Sequence, residues 1–203
     1  MLDGAVIIQI LKSATAKTFK EYVQQVFVPY ILSKLQQAMR LDLVWDCYNP
    51  DSLEDTARAK HRTGVRRQMV GDARIPGNWA SILRVDENTT ELFSFLSGIL
   101  HVSFQLADKE RVITEGVDFL SKPPLQGIAV LAPCNYEEAD TCIMLLAAHG
   151  AHNDHKKILI NTVDTDVVVL AVALSRTLDV EAKVWVSFGT GKAIRFLAAH
   201  EIV

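Results

Sequence analysis

Two spacings of apolar residues divide this chain into elements. Helical spacing governs Phe19, Tyr22, Val23, Val26, Phe27, Tyr30 and Ile31, predicting helix across 18–39. Pro29 falls inside that pattern. It lacks a backbone donor and crowds the preceding turn, so a kink or two shorter helices are expected. Leu92, Phe95, Leu96, Ile99 and Leu100 predict another helix, opened by a capping box at Asn88-Thr89-Thr90-Glu91 and running towards Phe104. A second box, Asn135-Tyr136-Glu137-Glu138, opens a helix through Ala139, Ile143, Leu146 and Ala147 that stops near Gly150.

Continuous apolar runs predict strands buried on both faces. They cover Leu41 to Asp46 and Ile158 to Asp164, the last followed by a helix from Val167 to Leu174, while Glu110 to Gly116 reads as a further strand into a turn. At the start, Leu2-Asp3-Gly4 reads as a strand end turning into a second element. Lys183 to Phe188, a Gly189-Thr190-Gly191 turn and Arg195-Phe196-Leu197 read as a β-hairpin. Alternating helices and strands imply an α/β fold around a mostly parallel sheet.

Composition narrows the class without choosing a chemistry. At 203 residues, 49% hydrophobic and a net charge of −3, the chain is long enough for one domain with a real core. Cys47, Cys134 and Cys142 form no Cys-x-x-Cys pair, so neither a zinc knuckle nor a disulfide framework is suggested. No basic leader precedes Leu2-Asp3, and the longest apolar run is too short for a bilayer. The expectation is an intracellular protein with no membrane partner and no small-molecule organic cofactor.

The hydrophobic runs share one habit: they stop on carboxylates. Asp3, Asp46 and the pair Asp164 and Asp166 follow apolar stretches, while Glu138 and Asp140 open a helix. A parallel sheet brings its strand ends to one edge, where ligands of open α/β folds gather. Aspartates crowded there repel one another unless a proton or cation intervenes. Oxygen ligands suit Mg²⁺ or Mn²⁺, and two such ions can activate water and stabilise a leaving oxygen in phosphodiester hydrolysis. Arg58, Lys60, Arg62, Arg66 and Arg67 form a basic stretch suited to a phosphate backbone.

In that order of acidic positions the sequence resembles the PIN-like nucleases, in particular flap-endonuclease-type 5′ nucleases. Leu2-Asp3-Gly4 looks like the family's first strand–aspartate and Leu43-Val44-Trp45-Asp46 like its second. Arg58 to Arg67 is similar to the basic segment that follows. Glu138-Ala139-Asp140 resembles the family's Glu-x-Glu, and Asp164-Thr165-Asp166 its Asp-x-Asp. The resemblance implies a three-layer α/β/α sandwich over 1–203, with a helical, partly basic insertion at 47–105. It also implies a nuclease acting on DNA or RNA with two Mg²⁺ or Mn²⁺ ions. Asp46, Glu138, Asp140, Asp164 and Asp166 would be its catalytic residues. Those five and Asp3 would bind metal, and Arg58, Lys60, Arg62, Arg66 and Arg67 would bind nucleic acid. A nearly absent first strand and a missing final Gly-x-Asp suggest a domain incomplete at both ends.

Duller readings stand beside each of these. Asp164 and Asp166 can simply cap a helix, Glu137 competes with Glu138, and a basic stretch can be a solvated helix face. The whole can be an inactive PIN-like module that binds nucleic acid or protein, or a phosphohydrolase of small esters. Gly189-Thr190-Gly191-Lys192 lacks the remaining residues of a P-loop and reads as a turn. His149, His152 and His155 straddle Gly150 and Asn153, a poor frame for zinc.

Overall fold

A computed structural model describes residues 1–13, 15–48, 65–103, 109–134 and 138–202. Among the described residues seven strands form one mixed sheet in the order β4-β3-β2-β1-β5-β6-β7. The strands are β1 (Leu2–Asp3), β2 (Arg40–Val44), β3 (Glu110–Glu115), β4 (Asp118–Lys122), β5 (Lys157–Thr162), β6 (Lys183–Phe188) and β7 (Arg195–Ala198). The inner five run parallel, and only the two edge strands, β4 and β7, are antiparallel to their neighbours. The expected α/β architecture with a mainly parallel sheet is what the chain adopts.

Helices cover both faces. On one lie α1 (Gly4–Ile10), α2 (Phe19–Tyr22), α3 (Val28–Gln36), α4 (Trp79–Ile82) and α5 (Asp86–Ser103). They close over Leu2, Leu41, Leu43 and Ile113, with Phe19, Tyr22, Phe27 and Trp45 filling the space between. On the other face α6 (Ala139–His152) and α7 (Thr165–Ser175) bury Val44, Val112, Ile158, Ile160, Val184 and Val186. Strand residues sort by parity between the two cores: Leu41 and Leu43 face one way and Val44 the other, because successive side chains alternate.

Pro29 acts as its sequence predicts. Between α2 and α3 the backbone widens into a π-helical stretch, Val23–Phe27, in which the Val28 amide reaches back to the Val23 carbonyl. Pro29 then sits in the first turn of α3, where a missing amide costs no helical bond.

Three local expectations are corrected. Residues Asn88 to Glu91 do not open their helix; α5 begins at Asp86, and Asn88 is fully buried. The Asn88 side chain instead accepts from the Arg67 amide at 2.7 Å and donates to the Val65 carbonyl at 3.0 Å, so it anchors a neighbouring segment. The helix expected to stop near Gly150 ends at His152, as expected, but its start differs. Its N-cap is Glu138, whose side chain does not cap, while Asn135 and Glu137 of the proposed box lie outside the described residues. Cys134 and Cys142 are joined as a disulfide, a pairing their eight-residue separation did not announce. Among the described residues no helix is long and apolar enough to cross a membrane.

Candidate metal centre

Following the chain outward from β1 reveals where the sheet changes direction. β2 and β3 extend to one side of β1, and β5 and β6 to the other. At such a reversal the connecting segments diverge and leave a crevice at the carboxyl ends of the strands. Asp3 is the last residue of β1. Asp46 follows β2, and Asp164 follows β5, each by two residues. The first turn of α6, carrying Asp140 beside the N-cap Glu138, starts at the same edge.

Hydrogen bonds fix this arrangement. The Ala139 amide donates to Asp46 Oδ1 at 3.1 Å, tying the end of β2 to the start of α6. The Trp45 amide donates to Thr114 Oγ1 at 2.8 Å, holding the turn before Asp46 against β3. Asp3 Oδ1 accepts from the Val6 amide at 3.0 Å and caps α1. Asp164 Oδ1 accepts from the Asp166 amide at 2.8 Å and caps α7, while its own amide donates to Thr162 Oγ1 at 3.0 Å. The capping role anticipated for Asp164 is therefore real. An ionised carboxylate offers about four acceptor positions on two oxygens, so one capping bond orients the group and leaves capacity for another ligand.

Electrostatics records how closely the acids gather. Burial pushes the Asp3 carboxyl up to about 7; its helix-capping bond opposes the shift, while Asp46 and Asp140 add to it. Asp140 is pushed up to about 6, first by partial burial and then by Asp164, Glu138, Asp46 and Asp166. Asp140 thus feels Asp164, Glu138, Asp46 and Asp166, and Asp3 feels Asp46 and Asp140, across a single edge of the sheet. Asp3 is 8% exposed, whereas Glu138, Asp164 and Asp166 lie open to solvent, so the cluster grades from a buried floor to an accessible rim.

Among the described residues no three of these side chains close into a ready coordination shell. Carboxylate oxygens are the donor type that hard cations such as Mg²⁺ take, so the chemistry of the donors, though not a preformed shell, matches such an ion. The histidines offer no rival site: His149 meets Arg40 and the Gln126 carbonyl, His152 the Ala148 carbonyl, and His155 Glu110.

The basic stretch is placed only in part. Arg58, Lys60 and Arg62 lie outside the described residues. Arg66 is paired with Glu91 and donates to Asn88 Oδ1 at 3.1 Å, which pins it to the first half of α5. Arg67 is exposed. From that same part of α5, Thr90 and Phe93 line a cavity of about 90 Å³ shared with Asp46, Tyr48 and Glu115. Tyr48, Phe93 and Trp45 form a stacked aromatic row beside it, with centroid separations of 6.3 and 4.4 Å.

One neighbour of the acidic edge was set aside in the sequence. The Gly189-Thr190-Gly191 turn follows β6, and its Gly189 amide donates to the Thr162 carbonyl at 3.0 Å. Gly189 has a φ of 97°, and a Cβ there would lie 2.9 Å from the Ala193 carbonyl oxygen, so glycine is required. The turn carries exposed Lys192, and exposed Arg195 opens β7 at the same edge as Asp164. Only strand order, invisible in the primary structure, makes them neighbours.

Comparison with protein-family models, with curated proteins and with solved structures returned no match.

Proposed function

We propose that this chain is a PIN-like, divalent-metal-dependent nuclease that hydrolyses phosphodiester bonds in DNA or RNA. The observation that carries the reading is the convergence of Asp3, Asp46, Glu138, Asp140, Asp164 and Asp166, drawn from four elements, at the reversal point of one sheet. Stability alone disfavours such a gathering, because like charges raise one another's energy. A site that binds cations gains from it.

In this reading Asp46, Asp140 and Asp164 hold the ions, Glu138 and Asp166 contribute from the rim, and Asp3 forms the floor. Bound Mg²⁺ or Mn²⁺ would supply an activated water and stabilise charge on the leaving oxygen. The protein's own residues orient and attract. The α6 N-terminus holds Asp46, and Thr162 fixes the turn bearing Asp164. Arg67 on one flank and Lys192 with Arg195 on the other favour a polyanionic substrate. The three-layer α/β/α sandwich of PIN-like proteins is consistent with helices on both faces of the sheet.

The experiment is cleavage of labelled single-stranded and flapped DNA and RNA in Mg²⁺ or Mn²⁺. Metal-dependent cutting by the wild-type chain, abolished in Asp140→Asn/Asp164→Asn, is expected. Cutting that survives in the double variant sinks the assignment. Binding of nucleic acid without cutting identifies an inactive module instead.

A further inference from the structure

Four aromatic rings lie nearly parallel in a row that runs from the core towards the acidic edge. Phe27 meets Trp45, Trp45 meets Phe93 and Phe93 meets Tyr48, with centroid separations of 6.2, 4.4 and 6.3 Å and interplanar angles of 26°, 18° and 21°. The first three rings are buried and Tyr48 is half-buried. The cavity of about 90 Å³ lies along the outer end of this row, and Asp46 belongs both to its lining and to the acidic edge.

Helical spacing supplies one wall. Thr90, Phe93, Ser94 and Ser97 recur at intervals of three and four along α5, so a single stripe of that helix lines the cavity. Ser97 is buried and accepts from Trp45 Nε1 at 2.7 Å, while Thr90 and Ser94 are exposed hydroxyls. Glu115, the last residue of β3, and Gly116, which turns the chain towards β4 at a φ of 58°, complete the lining. Glu115 is exposed, and among the described residues its carboxylate makes no hydrogen bond or ion pair.

We propose that this cavity seats the Watson–Crick edge of a guanine, in the nucleotide beside the phosphate held at the acidic edge. The inference rests on the nuclease reading above and adds a base preference to it. A volume of about 90 Å³, the bulk of about three liquid waters, admits the edge of one ring and excludes a base pair. The base must therefore come from an unpaired strand, whose rings can be splayed out against aromatic side chains. Aromatic walls tolerate any base, so discrimination falls to Glu115. An ionised carboxylate only accepts, through two oxygens. Guanine alone offers two adjacent donors, N1–H and N2–H, to fill both. Adenine and cytosine set a ring acceptor beside their amino group, and uracil and thymine flank one donor with two carbonyls. Each of these turns a lone pair towards Glu115. The Thr90 or Ser94 hydroxyl can donate to the neighbouring guanine O6.

The test measures binding of labelled single-stranded thymidine and uridine dodecamers with one central guanine, in Ca²⁺ so that no cutting is required. Guanine strands are expected to bind at least about fivefold tighter than all-pyrimidine ones, the low end for a bidentate base contact. Inosine, which lacks the N2 amino group, should lose that gain. Glu115→Gln should remove most of the difference between guanine and inosine while leaving all-pyrimidine strands unaffected. Ser94→Phe, whose ring would fill the mouth, should remove the guanine preference with the carboxylate intact. Both substitutions replace exposed side chains, and melting curves check the fold. Equal affinity for all bases, or a guanine preference that Glu115→Gln leaves unchanged, overturns the proposal. Cleavage in Mg²⁺ separates the two readings. Cutting without base preference sinks the pocket alone, whereas Glu115-dependent guanine binding without cutting sinks the nuclease alone.

Discussion

The Asp46 carboxylate accepts a hydrogen bond from the Ala139 amide at 3.1 Å, across 93 positions of sequence. That bond places Asp46 at the start of α6, beside Asp140 in its first turn. The helix dipole favours both negative groups, yet Asp140 remains pushed up to about 6. Burial and the other acids outweigh the dipole, and the balance defines what the site should do.

Loss of a central acid should separate chemistry from folding. Asp140→Asn and Asp164→Asn are each expected to lower metal-dependent cleavage by at least about 100-fold, more than disturbing an outer-shell partner does. Both variants should melt no lower than wild type without metal, because repulsion is relieved and asparagine can still cap α7 at 164. Cleavage assays paired with thermal melts check this, and a large drop in melting temperature would assign the acids to folding.

The pH dependence of the metal-free protein follows from Asp3. Its carboxyl is pushed from 3.8 up to about 7, so between these values the folded chain binds more protons than the unfolded one. The associated stability is fully present below pH 3.8 and is lost as pH rises through about 7. The loss is on the order of 4 kcal/mol at 1.36 kcal/mol per pKa unit. Denaturation between pH 5 and 8 should show this decline, and Asp3→Asn, which keeps a capping side chain at α1, should flatten it. Mg²⁺ should restore stability most at pH 8, by about 2.7 kcal/mol at 100 times its dissociation constant.

Gly4 tests how tightly the floor is built. A Cβ at this position would overlap the Trp45 ring, itself stacked between Phe27 and Phe93. Gly4→Ala must push apart the turn after Asp3 and the turn before Asp46. Overpacking of this kind costs about 1–3 kcal/mol. Chemical denaturation measures that loss, and weaker metal binding should accompany it.

The Cys134–Cys142 disulfide attaches the segment before α6 to the helix that carries Asp140. Closing an eight-residue separation should stabilise the oxidised chain by roughly 2–3 kcal/mol over the reduced one. Melting with and without reductant measures this, with Cys134→Ser/Cys142→Ser as the reference that should not respond.

Much of the acidic edge was legible because hydrophobic runs ending on Asp3, Asp46 and Asp164 are strand ends, and parallel strands end together. Leu41 to Val44 and Ile158 to Thr162 read as strands because they are buried on alternate or both faces. Other features depended on partners far away in sequence. β4 is a half-exposed edge strand without a strong apolar pattern, and only its pairing with β3 defines it. Asn88 and Glu91 match a capping signature, but bonds to Arg67, Arg66 and Met69 claim their side chains. The basic turn at Lys192 joins the acidic edge only through the β5–β6 pairing.

The brevity of β1 has a mechanical corollary. Among the described residues Met1, Leu2 and Asp3 stitch the β4-β3-β2 half of the sheet to the β5-β6-β7 half, and α6, packed across β1, β2 and β5, serves as the splint. That seam holds fewer paired residues than any other in the sheet. An ion gripped by Asp46 on one side and Asp164 on the other would rivet it shut.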